Sequence, residues 1–312
     1  MNTVLQENRH ERGRSVVVLG MHRSGTSVVA RIINLLGLPL CRDDDLLSGP
    51  DNPTGHWESE SLVKFNDRLL KIFGGSWAFP PHMNQNWENA PPAAPLHGEG
   101  ARVFRRAYPR AEWVWKDPRA CLTLPFWRTV WEESPVVVFV SREPLEIYLS
   151  LLKRDGLGKA HCIALWERYT RSTLLGARGL PIVKISYDQL MKDCSRTVAN
   201  LRDDLTGLGV MVHENIDVAS QCVSKTLGGS RDYNYRLRED SDSTEAQRIL
   251  IKLIESLPRI SPNFVATDLG SESSSTTELL CAVRRYPPEL SLVAREVRRT
   301  FRRSAAARGL IL

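Results

Sequence analysis

Eight consecutive residues, Gly20-Met21-His22-Arg23-Ser24-Gly25-Thr26-Ser27, carry the clearest chemistry in the sequence. A glycine-rich turn between a β-branched run and an apolar helical pattern aims backbone N–H groups and a helix dipole at an anion. Gly20 and Gly25 have the spacing of the nucleotide-binding pattern G-x-x-x-x-G-K-[ST], but Thr26 stands where that pattern has lysine. Enzymes that cleave ATP or GTP use that lysine to neutralise charge on the terminal phosphates, and the next hydroxyl to hold magnesium. Here the cation is Arg23, inside the loop, beside the hydroxyls of Ser24, Thr26 and Ser27. A second basic site follows the apolar run Pro135 to Val140: Arg142 is suited to a two-pronged contact with a dianionic phosphate, and Ser150 adds a hydroxyl about two helical turns on. Two further segments hold titratable groups: Lys116, Asp117 and Arg119 after Trp113-Val114-Trp115, and His56 and Glu58 in Gly55-His56-Trp57-Glu58.

Arg23-Ser24-Gly25-Thr26-Ser27 resembles the 5'-phosphosulfate loop, [K/R]-[S/T]-G-T-[S/T] after the first strand, of the sulfotransferases that use 3'-phosphoadenosine-5'-phosphosulfate (PAPS). Arg142 with Ser150 looks like the 3'-phosphate site of the same family. Ser186-Tyr187-Asp188-Gln189-Leu190 is similar to its tyrosine-acidic-x-leucine segment, which implies that Tyr187 faces adenine. The stretch Lys225 to Arg236, with Gly228, Gly229 and Arg231, is a loose match to the family's basic loop over the cofactor. Two departures stand out: Arg23 replaces the lysine of cytosolic members, and Val28 occupies the place of their adenine-stacking tryptophan.

The resemblance covers roughly residues 15 to 236 and implies PAPS as donor, its bisphosphate PAP as product, and His22 to Ser27, Arg142, Ser150, Tyr187 and Arg231 as cofactor-binding residues. It also implies a hydroxyl-bearing small molecule or glycan as acceptor. In-line transfer of a sulfuryl group needs a base for the hydroxyl proton and a cation at the leaving oxygen. Glu58 is the first candidate base, Asp117 the next and His56 the third. Lys116 is assigned to the leaving oxygen or the sulfuryl group, with a buried ion pair to Asp117 as the alternative. The rival reading is a P-loop kinase using ATP and magnesium with a displaced lysine, for which no metal-binding aspartate follows an apolar strand.

These residues need strands to deliver them to one edge. Ser15 to Gly20, Trp113 to Trp115, Pro135 to Val140 and Pro181 to Ile185 read as strands, each followed by a helical pattern, which predicts an α/β fold with a doubly wound, mainly parallel sheet. Helices are expected at Val28 to Leu36, Ser59 to Phe73 and Gln247 to Leu257, and a helix-helix turn at Gly156 to Lys159. The Pro-rich stretch Gly74 to Leu96, with Trp77 and Trp87, is too long for a simple connector and fits an acceptor pocket or a pinned surface excursion equally well. Residues 1–236 are read as the PAPS-binding domain and 237–312 as a helical C-terminal extension packed on it. In that extension Pro288 to Arg303 has the pattern of a basic amphipathic helix, suited to its own domain or to peripheral contact with an acidic membrane.

A net charge of +6 over 312 residues suits a protein holding a small anion and gives no ground for nucleic acid as partner. The six scattered cysteines include no C-x-x-C pair, and the histidines lack metal-ligand spacing, so no metal site is expected. No secretory signal precedes the first strand and no stretch approaches roughly 18 consecutive apolar residues. A cytoplasmic protein without transmembrane segments is the expectation.

Overall fold

The computed structural model describes residues 13–48, 55–213, 217, 219–220, 236–266 and 269–282. Four β-branched runs form parallel strands: β1 (Val16–Leu19), β2 (Val114–Lys116), β3 (Val136–Ser141) and β4 (Ile182–Ser186). A fifth, β5 (Ile260–Ser261), joins β4 antiparallel, giving the order β2-β1-β3-β4-β5. Strand β1 is central, with Val17 opposite Trp115 on one side and Val137 on the other. All its residues are buried, so both faces are covered and the run reads as continuously apolar.

The pleat divides the core in two. Val16 and Val18 face a cluster with Val29, Ile32 and Ile33 of α1 (Thr26–Leu35) and Leu201 and Leu205 of α8 (Cys194–Gly207). Val17 and Leu19 face the other cluster, with Phe65 of α2 (Glu60–Ile72), Phe104 of α3 (His97–Ala107), Phe126 and Trp127 of α4 (Ala120–Val130), and Leu165 and Tyr169 of α6 (Lys159–Gly176). Helices on both faces of a mainly parallel sheet make the fold the doubly wound α/β class expected. The connections also put the carboxyl ends of β1, β2, β3 and β4 on one edge, where such sheets bind ligands.

Helix boundaries depart from the expected ones where caps decide them. Helix α1 starts at Thr26, two residues early, because Gly25 in a left-handed conformation (φ 95°) turns the chain directly into the helix. Ser59 caps α2, its side chain accepting from the Leu62 N–H. Helix α9 (Glu245–Ser256) begins before Gln247 because Thr244 and Gln247 cap each other's backbone N–H groups reciprocally. The stretch Gly74 to Leu96 holds two short 3-10 turns, Trp87–Asn89 and Ala94–Leu96, and buries Trp87. Between α5 (Pro144–Asp155) and α6, residues 156–158 form the expected turn.

Beyond residue 236, α9, β5 and α10 (Ser274–Ala282) lie on the same body, with β5 completing the sheet and α10 against α6. A buried carboxylate ties them together. Glu167 of α6 accepts from Arg171 Nε (3.1 Å), Gln247 Nε2 (3.0 Å), the Ser273 N–H (2.8 Å) and hydroxyl (2.6 Å), and the Thr276 hydroxyl (2.8 Å). Burial alone raises such a carboxyl's pKa, but the bonds from Ser273, Thr276 and Gln247 outweigh it and hold Glu167 below its ordinary value. Arg231 and the basic segment Pro288 to Arg303 lie outside the described residues. Among those described, no helix is long and apolar enough to cross a membrane.

Candidate functional site

The loop after β1 is shaped by two glycines that nothing larger replaces. A Cβ on Gly20 would meet the Ser24 hydroxyl and the Val140 carbonyl oxygen at 2.7 Å, and one on Gly25 would fall on the ring of Tyr187. Arg23 (φ 69°) and Gly25 (φ 95°) are both left-handed, a conformation a non-glycine residue adopts at a cost. Alternation of this kind turns successive N–H groups toward one concavity. Among the described residues the first turn of α1 has no side-chain cap and no acidic residue, and the positive end of the helix is directed at this loop.

The second basic site is built onto this loop. Arg23 donates from Nε to the Ser150 hydroxyl of α5 at 2.8 Å, and Arg142 donates from Nη1 to the Arg23 carbonyl oxygen at 2.8 Å. Arg142 also holds Glu146 (2.9 Å), and its guanidinium lies 4.4 Å from the centre of the Tyr187 ring. Burial raises the Tyr187 phenol above its ordinary pKa, with Arg142 acting in the opposite direction. Tyr187 opens α7 (Tyr187–Lys192) directly after β4, which explains how its ring reaches Gly25. Sequence segments 119 and 127 residues apart thus meet around Arg23.

On the other side of the loop, Lys116 at the end of β2 donates from Nζ to the Ser27 hydroxyl at 3.0 Å and forms a buried ion pair with Glu58. The partner of Lys116 is therefore Glu58 and not the adjacent Asp117. Asp117 is fully buried and accepts from Asn66 Nδ2 (2.8 Å), the Arg119 N–H (2.9 Å) and Arg119 Nη1 (3.2 Å), which fixes the start of α4. Arg119 in turn holds Asp67 (2.7 Å) and lies 3.9 Å from Glu58. Burial disfavours its charge, but Asp117, Asp67 and Glu58 outweigh burial and raise its pKa. His56 is half-buried in the same extended segment as Glu58. Between them Trp57 is left-handed (φ 58°), with Arg31 stacked on its indole at 4.5 Å.

Sequence reasoning assigned no separate role to His22, which sits in the middle of these groups. Its ring is 7 % exposed, 4.7 Å from the Trp77 ring and 5.8 Å from that of Tyr169, and Nε2 has no hydrogen-bond partner among the described residues. Burial, then the positive charges of Arg119, Arg154, Lys116 and Arg23, hold its pKa well below the usual 6.5. Arg31 and Asn66 were missed; Arg31, one turn beyond Ser27, is the one whose spacing in the sequence pointed at the loop. Among the described residues no three His, Cys, Asp or Glu side chains are grouped to hold a metal ion.

No protein-family model and no curated protein matches this sequence. Solved structures similar to the chain include three sulfotransferases. The sulfotransferase domain of the Synechococcus PCC 7002 olefin synthase is 14% identical, with 89% of this chain and 97% of that one covered and a TM-score of 0.38. Sulfotransferase STF9 from Mycobacterium avium is 13% identical, over 86% of this chain and 82% of that one, with a TM-score of 0.43. For STF1 from Mycobacterium tuberculosis H37Rv the values are 15%, 81% and 79%, and 0.41.

Proposed function

We propose that this chain is a sulfotransferase that moves a sulfuryl group from PAPS to a hydroxyl of a small-molecule or carbohydrate acceptor. The observation that carries the reading is the junction at Arg23, where the N-terminus of α1, which has no side-chain cap, meets Arg142 just before α5 and Ser150 within α5. One anion site at a helix N-terminus beside a second one built on arginine suits a ligand with two separated phosphate groups. The residues fit a 3',5'-bisphosphate: Gly20 and Gly25 let the loop fold close against Val140 and Tyr187, Arg23, Ser24, Thr26 and Ser27 line the 5' side, and Arg142 with Ser150 the 3' side. Tyr187, stacked under Arg142, offers its remaining edge to the base.

PAPS, when bound, supplies an activated sulfuryl group; the rest of the chemistry belongs to the protein. Lys116 is held by Glu58 and Ser27 at the loop, where its charge stabilises an oxygen that becomes anionic. Arg23 adds a second fixed charge. Glu58 has one oxygen engaged by Lys116, which suits it to positioning that ammonium. The kinase reading asks the Ser27 hydroxyl to hold magnesium, and a lysine ammonium 3.0 Å from that oxygen opposes a divalent cation there.

Calorimetric titration of the whole chain with PAP, and with ATP plus magnesium, tests the reading. PAP is expected to bind with micromolar affinity, weakened about 10- to 100-fold in Arg142→Ala, the size of a lost charge-assisted contact. Preference for ATP with magnesium would overturn the proposal in favour of the kinase.

A further inference from the structure

We infer that His22 is the group that takes the proton from the acceptor hydroxyl; the inference rests on the sulfuryl-transfer reading above. The three bases suggested by the sequence fare differently in the fold. Asp117 is enclosed by Asn66 and Arg119, and Glu58 is paired with Lys116. His56 is half-buried in a segment that delivers Glu58, not itself, to Lys116. His22 lies inside the loop after β1, one residue before Arg23, and its Nε2 is a buried polar atom with no partner among the described residues. A buried ring nitrogen left unpaired costs stability, and such groups persist where a ligand supplies the partner.

The groups around it make His22 suited to this task only when the donor is present. Arg23 of its own loop, Lys116 of β2, Arg119 before α4 and Arg154 of α5 all disfavour the imidazolium, as does burial. Tyr169 of α6, the remaining titratable neighbour, is kept as a neutral phenol well above its ordinary pKa by burial. The free protein therefore presents a neutral imidazole, but a weak base. Phosphate and sulfonate charges arriving at Arg23 and Lys116 offset those cations and raise the basicity of Nε2 toward the working pH, where a general base is most effective. In the step itself the acceptor O–H proton passes to His22 Nε2 while the acceptor oxygen forms a bond to sulfur. The bond from sulfur to the bridging oxygen breaks, its electron pair stays on the phosphate oxygen facing Lys116, and the oxidation state of sulfur is unchanged. Trp77 lies tilted against the His22 ring, 4.7 Å between centroids.

The test follows the His22 imidazole by NMR in the 15N-histidine-labelled chain, its signal identified with His22→Gln, across pH with and without PAP. The expected result is a midpoint below 6.5 in the free protein, raised by about one unit or more with PAP bound, since one unit corresponds to a modest change in local charge. A second arm measures PAPS consumption with an unactivated alcohol or water as acceptor, whose O–H proton is held at working pH, in His22→Phe, which keeps an aromatic ring against Trp77, and in His22→Gln. Turnover is expected to fall about 100-fold or more in both. PAP affinity is measured alongside, and the loss of turnover is expected to exceed any loss of affinity by at least about tenfold. A His22 signal that ignores bound PAP, or full turnover in His22→Phe, would overturn the inference and leave the function standing. Failure of the wild-type chain to bind PAP would remove both.

Discussion

The buried polar cluster around Glu167 and the one around the β1 loop differ in whether they complete themselves. Around Glu167 each carboxylate oxygen has its donors, all from the protein, and the cluster fastens α9 and α10 to α6. Around the β1 loop the accounting stays open among the described residues: a helix N-terminus has no side-chain cap, His22 Nε2 has no partner, and Arg23 and Trp57 hold left-handed backbone. Polar groups satisfied by protein stabilise the fold, whereas groups left wanting an anion and a proton donor mark where a ligand belongs. A closed network and an open one are thus told apart by their leftovers rather than by composition.

Breaking the closed cluster has the largest expected effect. Glu167→Ala strands Arg171 in the interior and is expected to cost about 3–5 kcal/mol. In scanning calorimetry the midpoint should fall by roughly 6 °C or more, and added PAP should not restore the cluster. Gly25→Ala attacks the open one, forcing a side chain into left-handed backbone and against Tyr187. It should lose about 1–3 kcal/mol in denaturant melts and, unlike Glu167→Ala, should lose PAP binding in the fraction that remains folded.

The pH dependence sharpens the contrast. Above pH 6.5 His22 is neutral whether the chain is folded or unfolded and adds no pH dependence. As pH falls below 6.5 the unfolded chain binds the proton first, so stability drops by about 1.4 kcal/mol per unit until the lowered folded pKa is reached. Urea melts at pH 7 and pH 5.5 should show this loss in wild type and a smaller one in His22→Phe. The smallest effect is expected for Ser150→Ala, which removes the hydroxyl under Arg23. PAP should bind roughly 2- to 13-fold more weakly by calorimetry, with the melting midpoint unchanged.

The strands and the shape of the loop after β1 were legible because each is a local pattern: a β-branched run, and a glycine at a forced left-handed position. Lys116 was legible as a site cation, but its partner was not. Asn66 and Asp67, on a helix 50 residues earlier in the sequence, capture Asp117 and Arg119 and leave Glu58 for the lysine. His22 was visible as a member of the loop and silent as a base, because its burial comes from Trp77 in a proline-rich excursion without periodicity. Strand β5 has two residues, too few for any alternation to register.

That short strand also sets an order of events during synthesis. Its partner β4 is complete at Ser186, yet the residues that cover its outer edge are not made until Ile260. At typical ribosomal rates the edge stays open for roughly 4 to 15 s after β4 emerges. An unpaired strand of apolar residues is a template for other chains in that interval, so yield of this protein in expression should depend on elongation speed and chaperone supply more than on the stability of the finished sheet.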